Sequence, residues 1–150
     1  MARDAECATV CSMKRTKLVL LDHVSLPVRR FATARKFYEA ALGAIGMKVN
    51  MEFADAVGMG SKTQKIFWLG KHAKAGGGAH FAFSVEHREE VDAFHAAALA
   101  AGGTDNGPPG LRPSYGPNYY AAFVHDPEGN NIEVVCYAKG PAKKRARRRA

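Results

Sequence analysis

The sequence predicts an α+β domain made of two βαβββ modules. A strand–helix unit occurs twice, its two copies are a constant 57 residues apart, and three strand-like runs follow each helix. "LDHVSLPV" (21–28) and "GAHFAFSV" (78–85) both read as strands containing a histidine. "ARKFYEAALGAIG" (34–46) and "VDAFHAAALAAGG" (91–103) both read as helices that stop on glycine. His23 and His80, Phe37 and Phe94, Leu42 and Leu99, and Gly46 and Gly103 are each separated by 57 residues.

Each element follows from its own pattern. Apolar positions 34, 37, 41 and 42 map onto 91, 94, 98 and 99, which gives both helices one stripe for a core. After the first helix come "MKVNMEF", a run around "DAVGMG", and "KIFWLG". After the second come a Gly/Pro-rich loop, "GGTDNGPPGLRPSYGPN", with one short strand expected inside it, then "YYAAFVH" and "NNIEVVCY". "KHAKAGGG" (71–78) reads as the linker between modules 18–70 and 78–138. Neither half is large enough to bury much surface alone, so the two are expected to share a core.

Charge is segregated. The net charge is +8, of which the last twelve residues, "KGPAKKRARRRA", supply seven and residues 1–17 supply two, leaving residues 18–138 near −1. Residues 1–17 and 139–150 are expected to be disordered extensions, because a block of like charges repels itself. The tail has no aromatic residue to stack on bases, so nucleic acid is not the expected partner. No apolar run approaches the ~20 residues of a membrane span. The N-terminal run Leu18–Leu21 is too short for a signal-peptide core, and a cytoplasmic protein is expected. Cys7, Cys11 and Cys136 form no CxxC pair and read as reduced thiols.

The chemistry concentrates on three residues. Alternation puts His23 with Ser25 on one face of the first strand, and His80 with Ala82 and Ser84 on one face of its repeat. In "HDPEGNNIEVV" (125–135) a turn runs into a strand that carries Glu133, a residue type that strands disfavour. Two imidazoles and a carboxylate converging on one cleft make a three-ligand site for Fe, Mn, Ni or Zn, with positions open to water and substrate. The competing interpretation makes each a half-exposed polar residue on a wet face. His72, His87, His95 and His125 read as surface residues, with His125 beside the turn the one of interest.

With "LDHVSLPV", "ARKFYEAALG", "AHFAFSV" and "AAFVHDPEGNNIEVVCY", the chain resembles the vicinal oxygen chelate superfamily over about residues 18–138. That group includes glyoxalase I, bleomycin-resistance proteins, extradiol dioxygenases and fosfomycin-resistance thiol transferases. DPxGNxIE after a strand is the most specific of the motifs. The resemblance implies a cleft-shaped, incomplete barrel and places metal ligands at His23, His80 and Glu133. Glyoxalase I takes a fourth ligand from the last strand of the first module, where Phe67 or Trp68 stands here. The ligand set is thus nearer that of the dioxygenases and the fosfomycin transferases. Basic residues for a phosphonate are sparse, Arg112 being the only one between 89 and 138.

Tyr119 and His125 are the candidate acid/base groups near the metal. Ser25 and Tyr119 are candidate substrate contacts, and Phe67, Trp68 and Phe123 a candidate apolar wall. The resemblance implies a metal-dependent enzyme acting on a small oxygenated molecule, a glyoxalase-like lyase or isomerase or a dioxygenase. The alternative is a metal-free protein that sequesters a small molecule, as bleomycin-resistance proteins do. A homodimer is expected, with sites built either within a chain or between chains.

Overall fold

A computed structural model describes residues 21–140. The first module runs β1 (Val24–Val28), α1 (Phe31–Gly43), β2 (Lys48–Phe53), β3 (Ala56–Gly60) and β4 (Lys65–Lys71). The second runs β5 (His80–Val85), α2 (Arg88–Ala100), β6 (Thr104–Leu111), β7 (Tyr120–His125) and β8 (Asn131–Cys136). Each module folds into one four-stranded sheet, in the order β1-β4-β3-β2 and β5-β8-β7-β6. β1 pairs with β4, and β5 with β8, in parallel; the remaining pairs are antiparallel. Two βαβββ modules with sheets that do not close is the architecture the repeat predicts. The expectations for residues 1–17 and for the tail beyond residue 140 lie outside the described residues. Among the described residues no helix is long and apolar enough to cross a membrane.

The core lies between the helix-bearing faces of the two sheets. Phe37, Tyr38, Ala41 and Leu42 of α1 join Val91, Phe94 and Ala98 of α2 in one cluster, with Leu26, Val28, Met59, Phe67, Leu69, Val124, Ile132 and Val134 from the strands. Phe67 of β4 packs edge-on against Phe81 and Phe83 of β5, at 5.6 and 5.5 Å between ring centroids, which joins the modules across this seam. Cys136 is buried in the same cluster and forms no disulfide. The opposite face of each sheet is left open.

The β7–β8 turn latches one module to the other. Asp126 Oδ1 accepts from the backbone N–H groups of Glu128 and Asn130, at 2.8 and 2.9 Å. Its Oδ2 accepts from Asn130 Nδ2 and from Tyr38 Oη of α1, both at 2.8 Å. The Glu128 carboxylate accepts from the N–H groups of Arg29 and Arg30, at 3.0 and 2.6 Å. The first turn of α1 has no acidic residue of its own, so the charge that complements its N-terminus comes from the other module.

Local boundaries differ from the sequence pattern for identifiable reasons. Both helices start and stop three residues before the spans read from apolar spacing. Carboxylates secure their first turns: Glu128 for α1, and for α2 Glu90, which accepts from the His87 N–H at 2.9 Å. The left-handed glycines that follow them are Gly46 (φ 83) and Gly102 (φ 95), so the second such glycine comes one residue sooner than the constant offset implies. His23 immediately precedes β1 rather than lying inside it. The short strand expected in the Gly/Pro-rich loop is the eight-residue β6. It tolerates Pro108 and Pro109 because it is an edge strand whose register slips twice.

Candidate functional site

Among the described residues, three polar ones are buried: Asp126, Asn130 and Glu133. The first two belong to the latch. Glu133, 3% exposed, lies on the open face of the second sheet, where β8 sets it beside Ala82 of β5 and Phe123 of β7. A lone buried carboxylate is costly, so its surroundings are informative. Tyr119 Oη donates to Glu133 Oε1 at 2.5 Å, and His80 Nε2 stands 3.3 Å from Oε2.

The His80 ring orientation determines what lies between it and the carboxylate. Its Nδ1 is 3.1 Å from the Asn131 carbonyl oxygen, which only accepts, so Nδ1 carries a hydrogen. In the neutral ring Nε2 then presents a lone pair to Glu133 Oε2. A positive charge between these two acceptors, a proton or a metal ion, would stabilise their approach. A ligating histidine is ordinarily arranged in this way, with its far nitrogen donating to a carbonyl. His23 has the matching geometry. Its Nδ1 lies 2.6 Å from Asp22 Oδ1, which leaves Nε2 outward. His80 and Glu133 thus bring two donors of the kinds that divalent cations take to one point of the open face.

His23 stands apart from the other two in the single chain. Among the described residues no three His, Cys, Asp or Glu side chains lie close enough to share an ion. His23 belongs to the open face of the first sheet, where it meets the Trp68 indole edge-on at 6.4 Å. Phe53 stacks on the same indole at 6.2 Å, and Ser25 pairs with Trp68 in register. A groove of about 530 Å³ beside them is lined by Asp22, His23, Thr63, Gln64 and Trp68.

The other sequence candidates divide by strand parity. Trp68 lies on the open face of the first sheet and Phe123 on that of the second. Phe67, expected beside them, points the other way into the core and is fully buried. Tyr119 is on the open face with Glu133. Burial first, and then the Glu133 carboxylate, push its hydroxyl well above the ordinary tyrosine range, so it acts as a hydrogen-bond donor. His125 stands opposite Asn131 at the end of β7 and makes no hydrogen bond to His80 or Glu133. Sequence reasoning missed Asn131, whose carbonyl orients His80, and Tyr115 and Tyr137, which flank Tyr119 edge-on at 5.3 Å each. The alternation of β8 contained a signal for Tyr137, two residues beyond Val135 on the Glu133 face.

Gly58 makes room for Trp68, the only tryptophan in the chain. A Cβ there would come within 2.9 Å of the indole Cζ2. Gly58→Ala should therefore shift the wavelength of tryptophan emission while leaving the far-ultraviolet circular dichroism unchanged. Unaltered emission would show that the indole does not lie across β3.

Known proteins agree with this architecture. The profile of the Glyoxalase/Bleomycin resistance protein/Dioxygenase superfamily matches residues 20–134. A glyoxalase/bleomycin resistance protein from Albidiferax ferrireducens is 30% identical, with a TM-score of 0.69 over 79% of this chain and 98% of that one. Two others share the fold at lower identity. One, from Burkholderia phytofirmans, is a glyoxalase/bleomycin resistance protein/dioxygenase family enzyme (20% identity, TM-score 0.61, 78% and 98% coverage). The other is a glyoxalase-related enzyme from Fulvimarina pelagi (17% identity, TM-score 0.62, 79% and 88% coverage). No curated protein matches the sequence. With a match that spans most of the chain and both modules, the protein belongs to the Glyoxalase/Bleomycin resistance protein/Dioxygenase superfamily.

Proposed function

We propose that this protein is a metal-dependent enzyme that binds a small molecule through two neighbouring oxygens, as a glyoxalase-like lyase or isomerase or as a dioxygenase. The observation that carries this reading is the His80–Glu133 pair, with Nε2 and Oε2 3.3 Å apart and Nδ1 committed to a carbonyl. A divalent ion held by His80 and Glu133 would supply Lewis acidity toward the substrate oxygens. The protein's own side chains do the rest. Tyr119 holds one Glu133 oxygen in place and thereby orients the other. Phe123 and Trp68 exclude water, which strengthens each polar contact to the substrate. Ser25 and His125 border the same open faces and remain candidates for substrate contact and proton transfer.

The third ligand, His23, comes in this reading from a second chain. Both open faces carry exposed aromatic or large apolar side chains: Phe53 (60%), Met51 and Ile66 on the first sheet, Tyr115 and Tyr137 on the second. Apposing the first sheet of one chain to the second sheet of its partner covers these groups and builds two equivalent sites. The shared-site homodimer is therefore favoured over pairing within a chain.

Calorimetric titration with Mn(II), Ni(II), Zn(II) and anaerobic Fe(II) tests the metal. At least one should bind tighter than millimolar. His80→Ala should cost more than the roughly 10–100-fold that losing an outer partner costs. Binding should also weaken as the pH falls, because ligating imidazoles must be unprotonated. One observation favours the metal-free alternative: the Tyr119 hydroxyl already satisfies one Glu133 oxygen. Failure of every metal to bind would select that reading.

A further inference from the structure

We propose that Arg112 is the docking group for an oxyanion, a carboxylate or phosphate, on the substrate. This rests on the metal-site reading and adds the substrate class to it. Arg112 follows β6, yet its side chain folds back over the open face of the second sheet. Its guanidinium lies 5.6 Å from the Phe123 ring centroid, and Phe123 is the cross-strand neighbour of Glu133. The candidate ligand and the guanidinium thus sit on adjacent positions of one surface.

The chain around Arg112 is shaped to admit this conformation. Gly107 and Gly110 lie beneath the guanidinium. A Cβ at Gly107 would come within 3.3 Å of Nη2, and one at Gly110 within 2.9 Å of Nη1. Nη2 donates to the Pro108 carbonyl at 2.6 Å and Nη1 to the Leu111 carbonyl at 3.4 Å, which fixes the plane of the fork. A guanidinium has five N–H donors, so three are left for a ligand. The nearby Asp105 is engaged by His95 Nε2 at 2.8 Å and by the Gly107 N–H at 3.1 Å, and forms no ion pair with Arg112. A hollow of about 250 Å³ opens at the guanidinium, bordered by Asn106, Tyr115, Phe123 and Asn131. Asn131 also orients His80, so the hollow adjoins the candidate metal ligands. A planar cation that forms no ion pair among the described residues, over an aromatic face and with amide and phenol groups around it, matches the geometry of a carboxylate or phosphate.

The test is calorimetric titration of the full chain, freed of metal by chelation, with inorganic phosphate and separately with acetate. Wild type is compared with Arg112→Ala, Arg112→Lys and Gly110→Ala. The basic tail contributes the same background to all four proteins. Arg112→Ala should weaken binding of one or both anions at least tenfold. Arg112→Lys should retain part of it, without the planar fork. Gly110→Ala keeps the net charge but displaces the guanidinium, and should weaken binding severalfold. The anion with the larger Arg112 dependence names the group. Equal affinity in all four proteins overturns the proposal, as does full affinity in Gly110→Ala, which would leave charge without a seat. Mn(II) titration of the same samples separates the two readings. Intact Mn(II) binding without Arg112-dependent anion binding ends this proposal alone. Arg112-dependent anion binding without binding of Mn(II), Ni(II), Zn(II) or Fe(II) ends the metal reading alone.

Discussion

Combining His23→Ala with Glu133→Ala protein should restore about a quarter of the wild-type metal sites, although neither variant alone holds the ion tightly. In the single chain His23 lies on one open face and His80 with Glu133 on another, and the three do not form a common group. If two chains appose these faces, each site takes His23 from one protomer and the other two ligands from its partner. After subunits are exchanged by co-refolding, about half the dimers are mixed. In each mixed dimer one site keeps all three ligands and the other lacks two, which gives the quarter. Pairing within a chain gives no intact site in any mixture. The readout is the number of tight Mn(II) sites per chain, measured by electron paramagnetic resonance. Light scattering supplies the prior condition, since a monomer at micromolar concentration ends the proposal.

The parts of the fold encoded by local periodicity were legible in the sequence. Period-2 alternation and the helical stripe identified both modules, because each element buries one face against the same core. Alternation, with the resemblance, put His80, Tyr119, Phe123 and Glu133 toward one cleft, and they share the open face of the second sheet, where β7 and β8 pair without a register slip; His23, expected with them, lies on the first sheet. Alternation could not decide between Phe67 and Trp68, because both are large, apolar and adjacent. Their roles separate only when α1 covers one face of β4. Arg112 was illegible as a site residue for a different reason. Two register slips in β6 and the missing Cβ atoms at Gly107 and Gly110 turn its side chain back over the sheet, and no periodic pattern encodes that.

The latch shows the same limit at longer range. Asp126-Pro127-Glu128-Gly129-Asn130 reads as a turn, and it is one. Nothing local indicates that its first carboxylate meets a tyrosine 88 residues earlier, or that its second complements a helix 98 residues earlier. The most specific stretch of the sequence thus contains two separate devices. Asp126, Glu128 and Asn130 hold the modules together, and Glu133 serves the open face. A substitution in the first group should act on stability and one in the second on metal binding.

Asp126→Asn should destabilise the fold by about 2–4 kcal/mol, the scale of a broken buried charge network. The carboxylate is 4% exposed and accepts four hydrogen bonds, two on each oxygen. An amide of the same size turns one acceptor into a donor that faces donors. For a domain of this size the melting temperature should fall by about 10 °C. Mn(II) affinity at low temperature should be unchanged, because no candidate ligand is touched. A melting temperature within a degree or two of wild type would show that the turn does not hold the modules together. The same contact makes stability depend on alkaline pH. Burial first, and then the Asp126 charge and hydrogen bond, raise Tyr38 far above the tyrosine value of 10.0. Below pH 10 both states keep the phenol protonated and the contribution is complete. Above it the unfolded chain releases the proton and the folded chain does not, so stability falls as the pH rises. Tyr38→Phe should flatten that slope between about pH 10 and 11 in a denaturant titration, while losing the hydrogen bond at every pH. An unchanged slope would mean that the phenol is not confined against Asp126.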